Sequence, residues 1–254
     1  MLTSIIFGVV EGITEFLPVS STAHLILTTK LLGLDQSNFQ KSFEIIIQLG
    51  AIASVVVLYW RAFLRIEVLK RLVVAFIPTG VLGALLYPLV KNVLIGNVSI
   101  VLWALGVGGL ALIIFEHWHR ESETSHEDIA TIPYRYCVLV GLFQTTAMIP
   151  GVSRSAATIV GGLIVGLKRK TIVEFSFLLA VPTMLAATGF DLTKNAHTFS
   201  SAQAASLAIG FVTAFVVAIL TIKFLLSYIQ RHTFTAFGVY RIAIAVIFFF
   251  PTIA

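Results

Sequence analysis

Two carboxylates, a serine pair and an imidazole fall between positions 11 and 24 of an otherwise apolar segment, as Glu11, Glu15, Ser20, Ser21 and His24. A second apolar segment carries one guanidinium, Arg154, between Ser153 and Ser155. Glu11 and Glu15 are four apart, so on a helix they share a face. Such a pair suits a hard divalent cation, Mg2+ or Ca2+, held partly by substrate phosphate oxygens. Alternatively, one carboxylate holds a proton-transfer group, or both sit in a mouth open to water. Ser20, Ser21 and Thr22 follow Pro18. Serine and threonine cap helix starts, and the free N–H groups of a start attract anions. His24 lies one turn beyond Ser20 and Ser21, which allows a hydroxyl nucleophile with a histidine base; a lone histidine on an apolar face is otherwise a packed core residue. Arginine forks bidentately onto phosphate. In this setting it needs an anion, either a substrate phosphate or Glu11/Glu15 as a plain structural pair. Gln48 and Gln144 are polar groups in apolar stretches that either support the site or tie it to the scaffold. Jointly these residues describe phosphoryl chemistry, which needs positioning and charge stabilisation above all.

The elements that carry them are repeated. GVVEGITEFLPVSSTA (8–23) aligns without a gap with GLFQTTAMIPGVSRSA (141–156), at an offset of 133 residues. Gly8 matches Gly141, Glu11 faces Gln144, Val19-Ser20 matches Val152-Ser153, and Ala23 matches Ala156. Each copy is apolar, breaks at Pro18 or at Pro150-Gly151, and resumes with hydroxyl residues. A broken apolar helix at corresponding places in two halves points to a functional site within a membrane.

Composition places that site in a bilayer. Mean hydropathy is +0.99 and only 11% of residues are charged. Runs of roughly 20 apolar residues mark membrane spans; the candidates are 43–60, 72–90, 98–115, 171–190, 204–226 and 237–254. The broken segments, about 1–29 and 136–166, are additional. The first 30 residues lack a basic start and an A-x-A-like cleavage site, so they read as mature structure rather than a signal peptide. Cys137 is alone, which excludes an internal disulfide and makes it a small packing residue. The modest positive charge gives topology, not nucleic-acid binding.

Basic residues concentrate at Arg61, Arg65, Lys70 and Arg71 and again at Lys168, Arg169 and Lys170, so both loops are expected in the cytoplasm. Their repeat partners, about 194–204 and 30–41, are weakly charged, as inverted repeats require. Parity then makes each broken segment begin and end on one face. The expected fold is all-α and polytopic: an inverted-topology repeat with about six transmembrane helices and two re-entrant hairpins meeting inside the membrane. It would be one integral domain, 1–254, with repeat 1 at about 1–115, a linker at 116–135 and repeat 2 at 136–254. The polar stretch 116–128 carries three histidines, a conceivable metal site, but reads as a solvated connection. Pro78, Pro88 and Pro182 are expected to kink or end helices.

EGITEFLPVSSTAH and PGVSRSAAT resemble the two signature motifs of the bacterial undecaprenyl-diphosphatase family, which is linked to bacitracin resistance. FEIIIQLGAIASVV, EFSFLLAVPTMLAA and FGVYRIAIAV extend the likeness over most of the chain. The resemblance implies hydrolysis of undecaprenyl diphosphate to the monophosphate, recycling the lipid carrier of cell-wall synthesis. It also implies a plasma-membrane enzyme whose site opens to the outer face and depends on a divalent cation. Carried over by motif, the essential groups are Glu11, Glu15, Ser21, His24 and Arg154, with Ser20, Thr22, Ser153 and Ser155 beside them. Ala23 and Ala156 stand where the family has glycine. The favoured scheme has Ser21 as nucleophile, Glu15 and His24 handling its proton, Glu11 and Glu15 on the metal, and Arg154 on the equatorial oxygens. Rival schemes use His24 or water as nucleophile.

The partner is then a polyprenyl diphosphate in membrane lipid, with no nucleic acid. Oligomeric state, a homodimer included, is not set by the sequence. A transporter or flippase of a polyprenyl phosphate or other anion is the competing class, since inverted repeats with broken helices are a transporter pattern. The inventory of nucleophile, base and paired carboxylates is richer than transport needs. A phosphatidic-acid-type phosphatase is excluded, because no P-S-G-H occurs and no histidine follows Arg154 at the needed spacing.

Overall fold

The computed structural model describes residues 1–35, 37–89, 94, 97–120, 127–195 and 201–253. Among them the regular structure is helical, with no strand. Helix is what a bilayer demands, because every backbone N–H and C=O must find a partner within its own segment. The first half holds α1 (Leu2–Thr14), α2 (Ser21–Leu31), α3 (Asn38–Leu58), the short α4 (Trp60–Phe63), α5 (Ile66–Leu89) and α6 (Val98–Trp118). The second holds α7 (Tyr134–Thr145), α8 (Arg154–Ile164), α9 (Arg169–Asn195), α10 (Ser201–Tyr228) and α11 (Thr235–Ile253). Helices occupy all six expected stretches, as α3, α5, α6, α9, α10 and α11. Four stretches, Ile66–Leu86, Val98–Trp118, Arg169–Gly189 and Gln203–Tyr228, are long and apolar enough to cross a membrane; Ser42–Leu58 and Thr235–Phe249 are shorter apolar helices. Pro182 lies inside α9 and Pro78 inside α5, so neither ends its helix.

The packing exchanges the halves. α5 packs on α7 and α9, while its counterpart α10 packs on α1 and α3. The matched pair α6 and α11 pack on each other, as do α3 and α9. Each hairpin thus leans on a long helix of the other half. The matched glycines allow it: a Cβ on Gly8 would stand 2.7 Å from the Gly210 carbonyl on α10, and one on Gly141 would strike the Ala75 carbonyl on α5.

The hairpins close at opposite ends of the bundle. Thr29 near the end of α2 donates to Glu44 near the start of α3 at 3.3 Å, fixing one end. At the other end, both basic loops converge on the linker between the halves. Arg65 donates to both oxygens of Asp128, at 3.2 and 2.9 Å, and Lys168 pairs with Glu127. Those hydrogen bonds hold both carboxyls below their ordinary values. Arg71 adds a bond to the Ile132 carbonyl at 2.8 Å. The two basic loops therefore share one face, as their charge requires. The expected weakly charged loop 194–204 lies partly outside the described residues, and so does His126 of the three-histidine stretch. Among the described residues no group of three or more metal-binding side chains is present.

Candidate active site

Each hairpin changes direction where its helix cannot continue. Pro18 lacks an N–H, so α1 ends at Thr14 and the chain turns through 15–19 before α2 begins. In the second copy a short 3-10 turn, Thr146–Met148, leads to Pro150-Gly151. Gly151 has φ +102°, and a Cβ there would stand 2.5 Å from the Val101 carbonyl, so the turn has room only for glycine.

Both half-helices then start from a strained serine. Ser20 has φ 72° and Ser153 has φ 76°, the only positive φ values outside glycine among the described residues. Each is the N-cap, its hydroxyl accepting from the N–H three residues on, Ala23 at 3.5 Å and Ala156 at 3.2 Å. Ala23 and Ala156, where the resemblance leads one to expect glycine, are these buried donors. Non-glycine residues in the left-handed region cost on the order of 1–3 kcal/mol and persist only where the surroundings fix them. Here that happens twice, at matched positions.

The breaks meet. Arg154 opens α8 and donates through Nη2 to Glu15 Oε1 at 2.8 Å, while its Nη1 donates to the Ser176 carbonyl at 2.9 Å. Ser21 opens α2 and donates its hydroxyl to Glu15 Oε2 at 2.6 Å. The Ser155 hydroxyl donates to the Phe16 carbonyl at 2.8 Å, a direct bond from one hairpin to the other. Glu15 thus sits between a serine of its own hairpin and an arginine of the other, all three largely buried. They line a cavity of about 190 Å³, together with Ser20, Thr22, Ser153, Gln48 and Gln144.

Two buried side chains near this cluster carry acceptor oxygens with no partner among the described residues. Glu11 is 0% exposed, and neither carboxylate oxygen has a hydrogen-bond partner. Its repeat counterpart Gln144 is 1% exposed, and its Oε1 is likewise unpaired. Hydrogen-bond accounting fixes the Gln144 amide. Thr79 and Thr183 spend their hydroxyl hydrogens on the carbonyls of Gly141 and Leu179, so each can only accept, and both do so from Gln144 Nε2. Gln144 therefore ties its hairpin to α5 and α9. Gln48 lines the cavity without that role.

His24 is placed differently from the expectation that it shares the proton of Ser21. Its Nδ1 is 2.8 Å from the Ser20 carbonyl, which can only accept, so that nitrogen carries hydrogen. Its Nε2 is 2.8 Å from the Tyr240 hydroxyl on α11. Side chains on a helix lean back toward its N-terminus, which carries the imidazole to the residue four before it rather than to Ser21. In this geometry the hydroxyl proton of Ser21 faces Glu15 alone.

Three further residues belong to the neighbourhood without having been singled out. Glu44 accepts from Gln40 at 3.0 Å and from Thr29. Tyr240 holds His24, and Arg241 beside it is 0% exposed. A lone charge in the apolar runs FEIIIQLG and FGVYRIAIAV was the available signal.

The fold and the cluster define a class: an all-α, multi-pass membrane protein in which two broken helices join a carboxylate, a hydroxyl and a guanidinium below the surface. The family described as Bacitracin resistance protein BacA matches residues 4–247, and the chain belongs to that family. It is 53% identical over 249 residues to an undecaprenyl-diphosphatase of Persephonella marina (strain DSM 14350 / EX-H1), covering 98% of this chain and 97% of the relative. It is 49% identical over 248 residues to that of Sulfurihydrogenibium sp. (strain YO3AOP1), with 98% of each covered. For the undecaprenyl-diphosphatase of Aquifex aeolicus (strain VF5) the identity is 48% over 246 residues, with 96% of each covered.

Proposed function

We propose that this chain hydrolyses undecaprenyl diphosphate to undecaprenyl phosphate and inorganic phosphate at the outer face of the bacterial plasma membrane, and so confers bacitracin resistance. The observation that carries the reading is the Ser21–Glu15–Arg154 chain, a hydroxyl hydrogen-bonded to a carboxylate that is paired with a guanidinium from the other hairpin. The relatives' names supply the substrate. One integral domain, built of repeats at about 1–115 and 136–254, frames the site and keeps both hairpins against helices of the opposite half.

In the mechanism, Ser21 Oγ attacks the terminal phosphorus and its proton passes to Glu15. The bond from that phosphorus to the bridging oxygen breaks, and undecaprenyl phosphate leaves. Water then cleaves the phosphoserine, giving inorganic phosphate and restoring the hydroxyl. A phosphate that draws Arg154 toward itself loosens the Arg154–Glu15 pair and leaves the Glu15 carboxylate facing the Ser21 hydroxyl. Arg154 Nε, which has no partner among the described residues, is a further N–H for the equatorial oxygens. Ser20, Thr22 and Ser153 and the two helix starts add donors around the phosphate, whereas the expected phosphate contact Ser155 spends its hydroxyl on the Phe16 carbonyl and joins the hairpins instead. His24, bonded to Ser20 and Tyr240, acts by holding the strained cap rather than by taking the proton.

A divalent cation, Mg2+ or Ca2+, fits beside this cluster. Glu11 offers two buried oxygens with no other partner, and Glu15 lies one turn away. Two protein carboxylates with the remaining positions filled by phosphate and water are a usual set for such ions. When bound, the cation would neutralise charge on the diphosphate.

Phosphate release from undecaprenyl or farnesyl diphosphate by the purified protein in detergent tests this reading, since no gradient exists there to drive transport. Release that stops with a chelator and returns with Mg2+ or Ca2+ is expected. A folded protein without release would move the assignment to transport of the same lipid.

A further inference from the structure

Arg241 is, like Glu11, a fully buried charge near the site, yet its bonds all go to backbone. Its Nε donates to the Leu105 carbonyl at 3.3 Å. Nη1 donates to the carbonyls of Pro18 at 3.3 Å and Val152 at 3.0 Å. Nη2 donates to those of Ala104 at 3.1 Å and Gly151 at 3.0 Å. Five donors thus meet five carbonyls, and three of these belong to the two helix breaks. A broken helix leaves carbonyls that no N–H of its own turn can reach, and in a bilayer each needs a partner from elsewhere in the protein.

The choice of carbonyls matters as much as their number. Pro18 lies two residues before the strained cap Ser20, and Val152 directly precedes the strained cap Ser153. One guanidinium therefore holds both approaches to the caps and pins them to α6 as well. Ser21 and Arg154, the residues after the caps, are the two groups that must meet at Glu15. Lysine has three donors in a compact head and cannot span this fork.

We propose that Arg241 is a positioning residue for the reaction, which clamps the two breaks to each other and sets the distance between Ser21 with Glu15 on one hairpin and Arg154 on the other. The proposal rests on the hydrolytic reading above. It contacts no substrate and acts only through the backbone of the breaks.

Three variants test it in the purified full-length protein: Arg241→Lys, Arg241→Met and Gly108→Ala. The last leaves the arginine in place but sets a methyl group against its guanidinium, the movable end of a long side chain. Phosphate release from farnesyl diphosphate is measured per folded molecule, with the folded fraction taken from monodispersity and circular dichroism. Misplacing reacting groups by about 1 Å costs on the order of 100-fold in rate. The expected result is therefore a kcat lower by about 10- to 100-fold in Arg241→Lys and Gly108→Ala, with KM within about threefold of wild type.

Wild-type kcat per folded molecule in these variants overturns the proposal, and so does a raised KM with kcat retained. A loss of activity that only tracks the folded fraction makes Arg241 structural and overturns it too. If Arg241→Met does not fold, Arg241→Lys and Gly108→Ala still decide. Absence of turnover in the wild type would refute the hydrolytic reading instead, and is seen before any variant is compared.

Discussion

The two hairpins share a scaffold and divide the chemistry. At matched positions the first has Glu11, Glu15, Ser21 and His24 where the second has Gln144, Met148, Arg154 and Ala157. What stays common is mechanical: a glycine against the opposite half, a break, a serine cap at positive φ, and a half-helix. What differs is charge. The first hairpin is the acidic partner and the second the basic one, and they join at the 2.8 Å bond between Arg154 and Glu15. An unchanged copy of the first hairpin would have placed a serine where Arg154 now meets Glu15. Differences at single matched positions make two like elements complementary halves of one site.

Variants that make the hairpins alike again would break this division. The largest effect is expected from Arg154→Ser, which gives the second hairpin the residue of the first. It leaves Glu15 buried without its cation, which costs about 3–5 kcal/mol. It also removes the charge facing the phosphate, so phosphate release should fall by about 10³-fold or more. A thermal melt with and without the mutation, beside the release assay, reads both effects.

Glu11→Gln copies the amide of Gln144 into the first hairpin. The expected outcome is a need for on the order of tenfold more Mg2+ or Ca2+ at half-maximal rate, since one of two carboxylate ligands is lost. Titrating the cation at fixed substrate checks it, and an unchanged requirement would remove Glu11 from the cation site.

Ser20→Gly and Ser153→Gly should be mild and equal. Each removes a cap hydroxyl, which costs only a few tenths of a kcal/mol when glycine replaces it, and each relieves an unfavourable φ. Melting temperatures of the two variants within about 2 °C of wild type would agree with relief of strain offsetting loss of the cap. Tyr240→Phe should be smallest of all. It deletes one hydroxyl from His24, and its trace is expected in the imidazole nitrogen resonances more than in turnover.

Much of this arrangement could be read from the chain. The breaks were legible because Pro18 and Pro150-Gly151 interrupt apolar helix, and the six spans because hydrocarbon thickness fixes their length. The pairing of Arg154 with a glutamate was open to inspection as well, since a buried guanidinium needs an anion. The orientation of His24 was not. Sequence spacing places it near Ser21, but the direction of the ring depends on Tyr240, 216 residues away. Arg241 was hidden for a similar reason: its partners are carbonyls at Pro18, Leu105 and Gly151, which leave no mark on residue type. Serine gives no hint of positive φ either, so the strained caps became visible only in three dimensions.

Glu15 and Arg154 form one unit assembled from two hairpins. A double-mutant cycle with Glu15→Gln, Arg154→Gln and the pair together, read as kcat/KM for polyprenyl diphosphate in detergent, tests that claim most directly. Coupled groups give a double variant within about threefold of the worse single one. Losses that multiply, as they do for independent positions, would contradict a shared site and separate the two hairpins again.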